Sequence, residues 1–326
     1  MKKKWIILAV VVSVLALGYY FAAPFLVQES DIAVLSEEEV AEQLASFDDE
    51  GSNVVPTFTE VLADFVHVPA DKSEAFTGSA LIDIDGDGVE EVFVGGGEGQ
   101  QDALLKFDGE GFVNLAINKG DDGLGFDNLE RSLGALSVDS DNDGDTDLYI
   151  ARPSGLYLME NSGDFFRESK LNVEFEARAM PFAIASTDLN GDGFVDLYIS
   201  TFIRPEYFKA ATFNDPSHVT ANLLLLNDGD GEFTDVTEEY GIDFEQNTFL
   251  SAFVDLNNDG LSDFVAATNT DRVKIYENTG EGFRDIGELG DYGFWMGLTV
   301  ADFDNDGDSD LFFTNIGNTV PVSSAR

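Results

Sequence analysis

The chain has 326 residues, 44% of them hydrophobic, and its 63 Asp plus Glu against 17 Lys plus Arg give a formal charge of -46. That apolar share is too high for a disordered chain, while the charge excludes nucleic acid and anionic lipid as natural partners and favours cations. With no cysteine, and only His67 and His218 as histidines, disulfides, thiolate chemistry and a histidine-built zinc or copper centre fall away as well.

Lys2, Lys3 and Lys4 precede an uncharged run from Trp5 to Ala23. At about 1.5 Å per helical residue the run reaches roughly 28 Å, near the thickness of a bilayer's hydrocarbon core. Residues 1–23 are therefore read as an N-terminal signal anchor, a transmembrane helix formed by 5–23, in preference to a cleaved signal peptide. Tyr20 and Phe21 stand where a cleavage site needs small residues, and Pro24 follows. Positive charge stays cytoplasmic, so the rest of the chain is expected outside the cytoplasm, periplasmic or at the cell surface, and secreted if the segment is cut. Residues 24–53 read as an acidic tether in which LSEEEVAEQLASF forms one short helix. Ser36 is its N-cap, Glu39 closes a capping box, and Val40, Leu44 and Phe47 share a face.

The region 54–326 is organised by one recurring loop. DIDGDGVEE at 83–91 crowds carboxylates around two glycines, with no lysine or arginine nearby to neutralise them. It returns as DSDNDGDTD at 139–147, DLNGDGFVD at 188–196, DLNNDGLSD at 255–263 and DFDNDGDSD at 302–310. Successive starts lie 56, 49, 67 and 47 residues apart, the period of a solenoid or propeller. In every copy positions 1, 3, 5 and 9 carry Asp, Asn or Glu, and position 6 is Gly. Alternate oxygens on a tight turn converge on one point, and glycine permits the backbone angle that brings them there. Such a cage suits Ca2+, which takes six to eight oxygens, better than Mg2+, which keeps its waters in a strict octahedron. Position 7 would lend only a backbone carbonyl, in keeping with its variation among Val89, Asp145, Phe194, Leu261 and Asp308. The loop is not an EF-hand: position 12 is Val94, Ile150, Ile199, Ala266 or Phe313 where that motif needs Glu, and the flanks alternate as strands.

A second signature follows each complete copy: ALLKFDGEGFVNL at 103–115, LYLMENSGDFFRES at 156–169, LLLLNDGDGEFTDVT at 223–237 and VKIYENTGEGFRDI at 273–286. Each reads as an apolar strand, a Gly/Asn/Asp turn and a strand beginning near Phe. A full repeat is thus strand, acidic loop, strand, connection, strand, turn, strand, which is one four-stranded propeller blade.

These loops and hairpins resemble FG-GAP/VCBS repeats, the calcium-bearing blades of integrin alpha-subunit propellers. GFWMGLTVADFDNDGDSDLFFTNIGN resembles more narrowly the cartilage acidic protein group and its bacterial relatives. The resemblance implies an all-β, calcium-binding β-propeller with about one Ca2+ per visible blade. Its metal positions carry over to Asp83, Asp85, Asp87 and Glu91; Asp139, Asp141, Asp143 and Asp147; Asp188, Asn190, Asp192 and Asp196; Asp255, Asn257, Asp259 and Asp263; and Asp302, Asp304, Asp306 and Asp310. Glu91 departs from the family's Asp, which loosens the first site or lets it bind through both oxygens. The family commonly has about seven blades and five loops are visible, so the favoured expectation is part of a seven-bladed ring, with a closed five-bladed ring as the other. TFTEVLADF at 57–65 resembles the outer strand EFTDVTEEY at 232–240, and residues 57–62 are expected to clasp the ring by completing its last blade.

Blade topology puts the acidic loops on one face and the longest second connection, 202–222, on the other. Arg204, Tyr207, Phe208, Lys209, Phe213 and His218 in that connection form the candidate ligand loop. The resulting expectation is an exported, membrane-anchored binding or adhesion module for protein or glycan, without catalytic residues. The alternatives are a carbohydrate-active enzyme resembling polysaccharide lyases, drawing on the same cluster for a base and a neutralising cation, and a scaffold part of a cell-envelope complex.

Overall fold

The computed structural model describes residues 60–68, 76–118, 124–163, 165–207, 218–229, 231–303 and 306–315. The expected anchor at 1–23, the tether and its helix at 24–53, and Phe208, Lys209, Phe213 and Asp304 lie outside the described residues. Among the described residues no helix is long and apolar enough to cross a membrane.

Strands form where the sequence alternates on either side of the acidic loops. The first repeat is β1 (Ser79–Ile82), β2 (Glu91–Val94), β3 (Ala103–Phe107) and β4 (Phe112–Asn114), paired in that order. The second is β5 (Gly134–Val138), β6 (Asp147–Arg152), β7 (Gly155–Asn161) and β8 (Phe166–Lys170). The third, β9 (Ala179–Thr187), β10 (Asp196–Ile203), β11 (Leu223–Asn227) and β12 (Phe233–Asp235), is the same antiparallel meander.

The remaining strands, β13 (Thr248–Val254), β14 (Asp263–Asn278), β15 (Phe283–Ala301) and β16 (Asp310–Asn315), include two that are too long for one blade position. An unbent strand, rising about 3.3 Å per residue, would hold Phe264 and Tyr276 roughly 40 Å apart. Their ring centroids are 6.2 Å apart, and the Asn278 N–H donates to Asp263 Oδ1 at 2.8 Å. β14 therefore doubles back on itself, where Thr268 Oγ1 donates to the Arg272 carbonyl at 2.8 Å. Its two limbs are the second and third strands of the fourth repeat. β15 supplies the outer strand, pairing Phe283 with Asn278 and Leu289 with Val273, and its far end, Trp295 to Ala301, pairs with β16. The described residues thus hold four complete blades and the first two strands of a fifth; they do not show seven.

The blades pack face to face because the second strand of each is buried on both sides. β6 is buried at every residue: Leu148 and Ile150 pack with Phe93 and Leu104 of the first repeat, while Tyr149 packs with Leu197 and Ile199 of the third. Tyr198 and Phe264 join the third repeat to the fourth, and Val265 packs with Val300 and Leu311 of the fifth. Each such side chain stabilises the packing by about 1.5–3 kcal/mol. Such double burial explains why these strands read as continuous apolar runs. At the two ends no neighbour stands among the described residues: Leu81 is 53% exposed, and Phe312, which corresponds to the fully buried Phe93, Tyr149 and Tyr198, is 57% exposed.

The expected clasp lies mostly outside the described residues, and residues 62–64 pair elsewhere than expected. Phe112 N–H donates to Leu62 O and Asp64 N–H to Phe112 O, both at 2.8 Å, so this segment edges the first blade's outer strand instead of completing the last blade. Leu124 O and Tyr240 O accept from Phe166 and Phe283 in the same way, at 2.9 and 2.7 Å. Residues 62–64 therefore enter their blade as the other inter-repeat connections do.

Candidate metal centres

Two left-handed residues bend each of the first four acidic loops. Position 4, filled by Gly86, Asn142, Gly191 or Asn258, has φ between 59° and 74°, and the position-6 glycines have φ between 82° and 98°. Asparagine tolerates this conformation where other residues do not. The bend brings the position-1 carboxylate over the backbone of positions 5 and 6. Asp83 accepts from Asp87 N and Gly88 N at 3.1 and 2.8 Å, Asp255 from Asp259 N and Gly260 N at 3.2 and 2.8 Å, and Asp302 from Asp306 N and Gly307 N at 3.1 and 3.0 Å.

Position 9 closes the loop from within the sheet. Asp147, Asp196 and Asp263 are at most 2% exposed, yet each uses both oxygens. One oxygen accepts from position 2 of the loop, Ser140 N, Leu189 N or Leu256 N, at 2.8–3.0 Å. The other accepts from the hairpin asparagine, Asn161 N, Asn227 N or Asn278 N, at 2.7–2.9 Å. Burial pushes Asp147 and Asp196 above the ordinary carboxylate value, and the charges of Asp141 near the first and of Asp192 and Asp188 near the second add to it.

In the second loop, carboxylate oxygens of Asp139, Asp141 and Asp147 all lie within 4.8 Å of one another. Asp139 Oδ1 is buried and has no hydrogen-bond donor. A buried anionic acceptor without a donor is costly unless a cation meets it, so these residues fit a hard divalent ion. In the third and fourth loops the position-3 asparagines orient the position-5 acids: Asn190 Nδ2 donates to Asp192 at 2.8 Å and Asn257 Nδ2 to Asp259 at 3.0 Å. The fifth loop repeats the Asp302 and Asp310 contacts, the latter accepting from Phe303 N at 2.9 Å.

The first loop gathers oxygens of Asp83, Asp85 and Glu91 within the same 4.8 Å, but here a protein cation sits among the acids. Lys106, on β3, places its ammonium 3.0 Å from Asp85, 3.2 Å from Asp87 and 2.7 Å from Glu91. Glu91, with Asp85 next, holds the lysine above its ordinary pKa. The Val89 N–H first, and then Lys106, hold Asp87 below its own. The expectation that no basic side chain neutralises this loop is thus corrected: sequence distance hid a residue that the hairpin folds back. A signal was available, since Phe107 stands where the later repeats have Asn161, Asn227 and Asn278, beside the one Glu at position 9.

At the other end of the inner strands, a pocket of about 370 Å³ is lined by Phe76, Leu133, Phe182, Phe249 and Met296, from all five repeats. Phe76 packs on Phe182 and Phe249, with ring centroids 5.2 and 5.7 Å away. Phe202, at the root of the 202–222 connection, packs beneath on the same two rings at 5.4 and 5.2 Å. Of the candidate ligand loop, Arg204 donates to the Pro153 carbonyl at 2.8 Å, Tyr207 is 48% exposed, and His218 is 4% exposed. Sequence reasoning passed over the pocket, because its phenylalanines read as ordinary strand residues. It also passed over fully buried Arg152, which binds Asp102 at 2.8 Å, Ser132 at 3.2 Å and Glu168, joining the first two repeats.

Residues 139–199 and 255–313 match the family model described as an FG-GAP-like repeat. Cartilage acidic protein 1 of Homo sapiens is 28% identical over 262 residues, 73% of this chain and 38% of that protein. The Mus musculus protein of that name is 27% identical over 259 residues, 73% of this chain and 39% of its own length. The chain thus spans less than two-fifths of these curated relatives. Among solved structures, the crystal structure of BBS1N in complex with ARL6DN is 10% identical, covers 72% of this chain and 61% of that one, and has a TM-score of 0.42.

Proposed function

We propose that this chain, which carries FG-GAP-like repeats, is an exported binding module whose acidic loops are stapled by Ca2+ and whose opposite face recognises a protein or glycan. On this reading residues 5–23 anchor it to a membrane with the repeats outside the cytoplasm, and it is not an enzyme. The observation that carries the proposal is the division of labour between the two ends of the inner strands. Carboxylates at one end are committed to holding their own loops, whereas the other end gathers apolar side chains from five repeats, three of them phenylalanines, around one concave site.

Where Ca2+ binds, Asp139, Asp141 and Asp147 and their counterparts in the third to fifth loops would hold it. The ion supplies positive charge that lets these acids ionise together. The protein's own residues bend the loop, bury position 9 and fix each carboxylate. On the opposite face the lining favours an apolar side chain of a protein partner, because Thr77 and Ser79 are its main polar offering to a sugar.

Arrays of extracellular proteins and of glycans, probed with the full chain in millimolar Ca2+, test this reading. Binding should be lost in Phe76→Asp, whose ring is 37% exposed and can be replaced without opening the deep core. Binding that survives this change rules out the pocket as the recognition site.

A further inference from the structure

We infer that the first acidic loop is not a calcium site: the Lys106 ammonium takes the place of the divalent ion there, making this corner independent of external calcium. The inference rests on the calcium reading of the other loops and departs from it at 83–91.

Three observations converge. The first is position, since Nζ lies 2.7–3.2 Å from oxygens of Asp85, Asp87 and Glu91, at loop positions 3, 5 and 9. These are the acids around which an ion would sit, and an ammonium and a Ca2+ cannot share them. The second is register. Lys106 pairs with Val113 as Glu160 pairs with Arg167, Leu226 with Thr234 and Glu277 with Arg284. The residues at this position are therefore acidic or apolar in the next three repeats, and among the described residues no lysine or arginine reaches their loops. The third is a set of compensating changes. The extra methylene of Glu91 lets a fully buried carboxylate reach the ammonium while its other oxygen still accepts from Ile84 N at 3.2 Å. Phe107 stands where the next three repeats have the hairpin asparagine, and so lacks the side-chain amide that holds loop carbonyls there. Its ring packs on Phe112 at 5.4 Å instead.

An ammonium carries one charge against the ion's two, but it is tethered. It incurs no loss of translational freedom and does not depend on concentration. The first corner should therefore stay closed when the others open.

Two measurements on the full chain in detergent test this. The Lys106→Met chain should bind one more Ca2+ by equilibrium dialysis than the unaltered chain; equal numbers overturn the inference. In the unaltered chain, amide hydrogen exchange at Gly88 should change little on adding Ca2+. With free Ca2+ thirtyfold above the dissociation constant, protection at Gly144 should rise by roughly 30-fold. An equal rise at Gly88 overturns the inference even if Lys106→Met does not fold. Silence at Gly144 as well, with no ion gained in Lys106→Met, overturns the calcium reading and the inference together, and the behaviour of Gly144 tells the two failures apart.

Discussion

Asn161 ends β7 with its Nδ2 between two loop carbonyls, Thr146 O of its own repeat at 3.1 Å and Ile84 O of the preceding one at 3.2 Å. Asn227 reaches back likewise to Ser140 O at 3.3 Å. The asparagine that reads in sequence as a turn residue is thus a clamp between successive loops, using its amide on carbonyls while its backbone N–H holds position 9. Asn161→Ala keeps the backbone bond and strands two carbonyls in a buried corner, which should cost about 1–3 kcal/mol in urea denaturation. Asn161→Asp should cost more, because it aims a charge at the same two carbonyls. If the aspartate variant proves as stable as the parent, the clamp has no energetic role.

Elements carry a different constraint, the close approach of inner strands. A Cβ on Gly134 would stand 2.3 Å from Phe182 O, and one on Gly78 2.7 Å from the Gly134 carbonyl carbon. These neighbours are backbone, so they cannot swing aside. Gly134→Ala should therefore push β5 from β9 and destabilise the protein by about 1–3 kcal/mol, read from the urea midpoint. An unchanged midpoint means that the strands have slack.

The repeats themselves were legible from sequence because the loop chemistry is local: a Gly at position 6 and oxygens at alternate positions are fixed by geometry within nine residues. Strand order followed from the same spacing. What stayed hidden depends on residues brought together from afar. Lys106 meets Asp85 only once β2 and β3 pair, Arg152 meets Asp102 only across two blades, and the apolar side chains of the pocket converge only when five repeats do.

At the scale of the whole molecule, a formal charge of -46 has to coexist with carboxylates gathered in five loops. Buried Asp147 and Asp196 show the conflict, because burial and neighbouring acids raise their pKa values. The sign comes from linkage. A carboxyl whose folded value lies above its unfolded one binds more protons when folded, so its favourable contribution is present below the unfolded value, about 3.9 for Asp. That contribution is lost as pH rises through the folded value. Through these two acids, calcium-free protein should thus lose stability as pH climbs from about 4. Bound Ca2+ favours the ionised form and reverses the trend, contributing about 2 kcal/mol per site at thirtyfold excess over its dissociation constant. The gap between melting temperatures with Ca2+ and after exhaustive dialysis should therefore widen steadily from pH 4 to pH 7, since protons and calcium compete for the same oxygens. Magnesium at equal ionic strength should widen it less, because a small ion that keeps its waters gains less from a ring of fixed carboxylates. A gap that stays constant across this range, or that sodium chloride alone reproduces, would mean that the acids respond to general screening and that no ion is held at their centre.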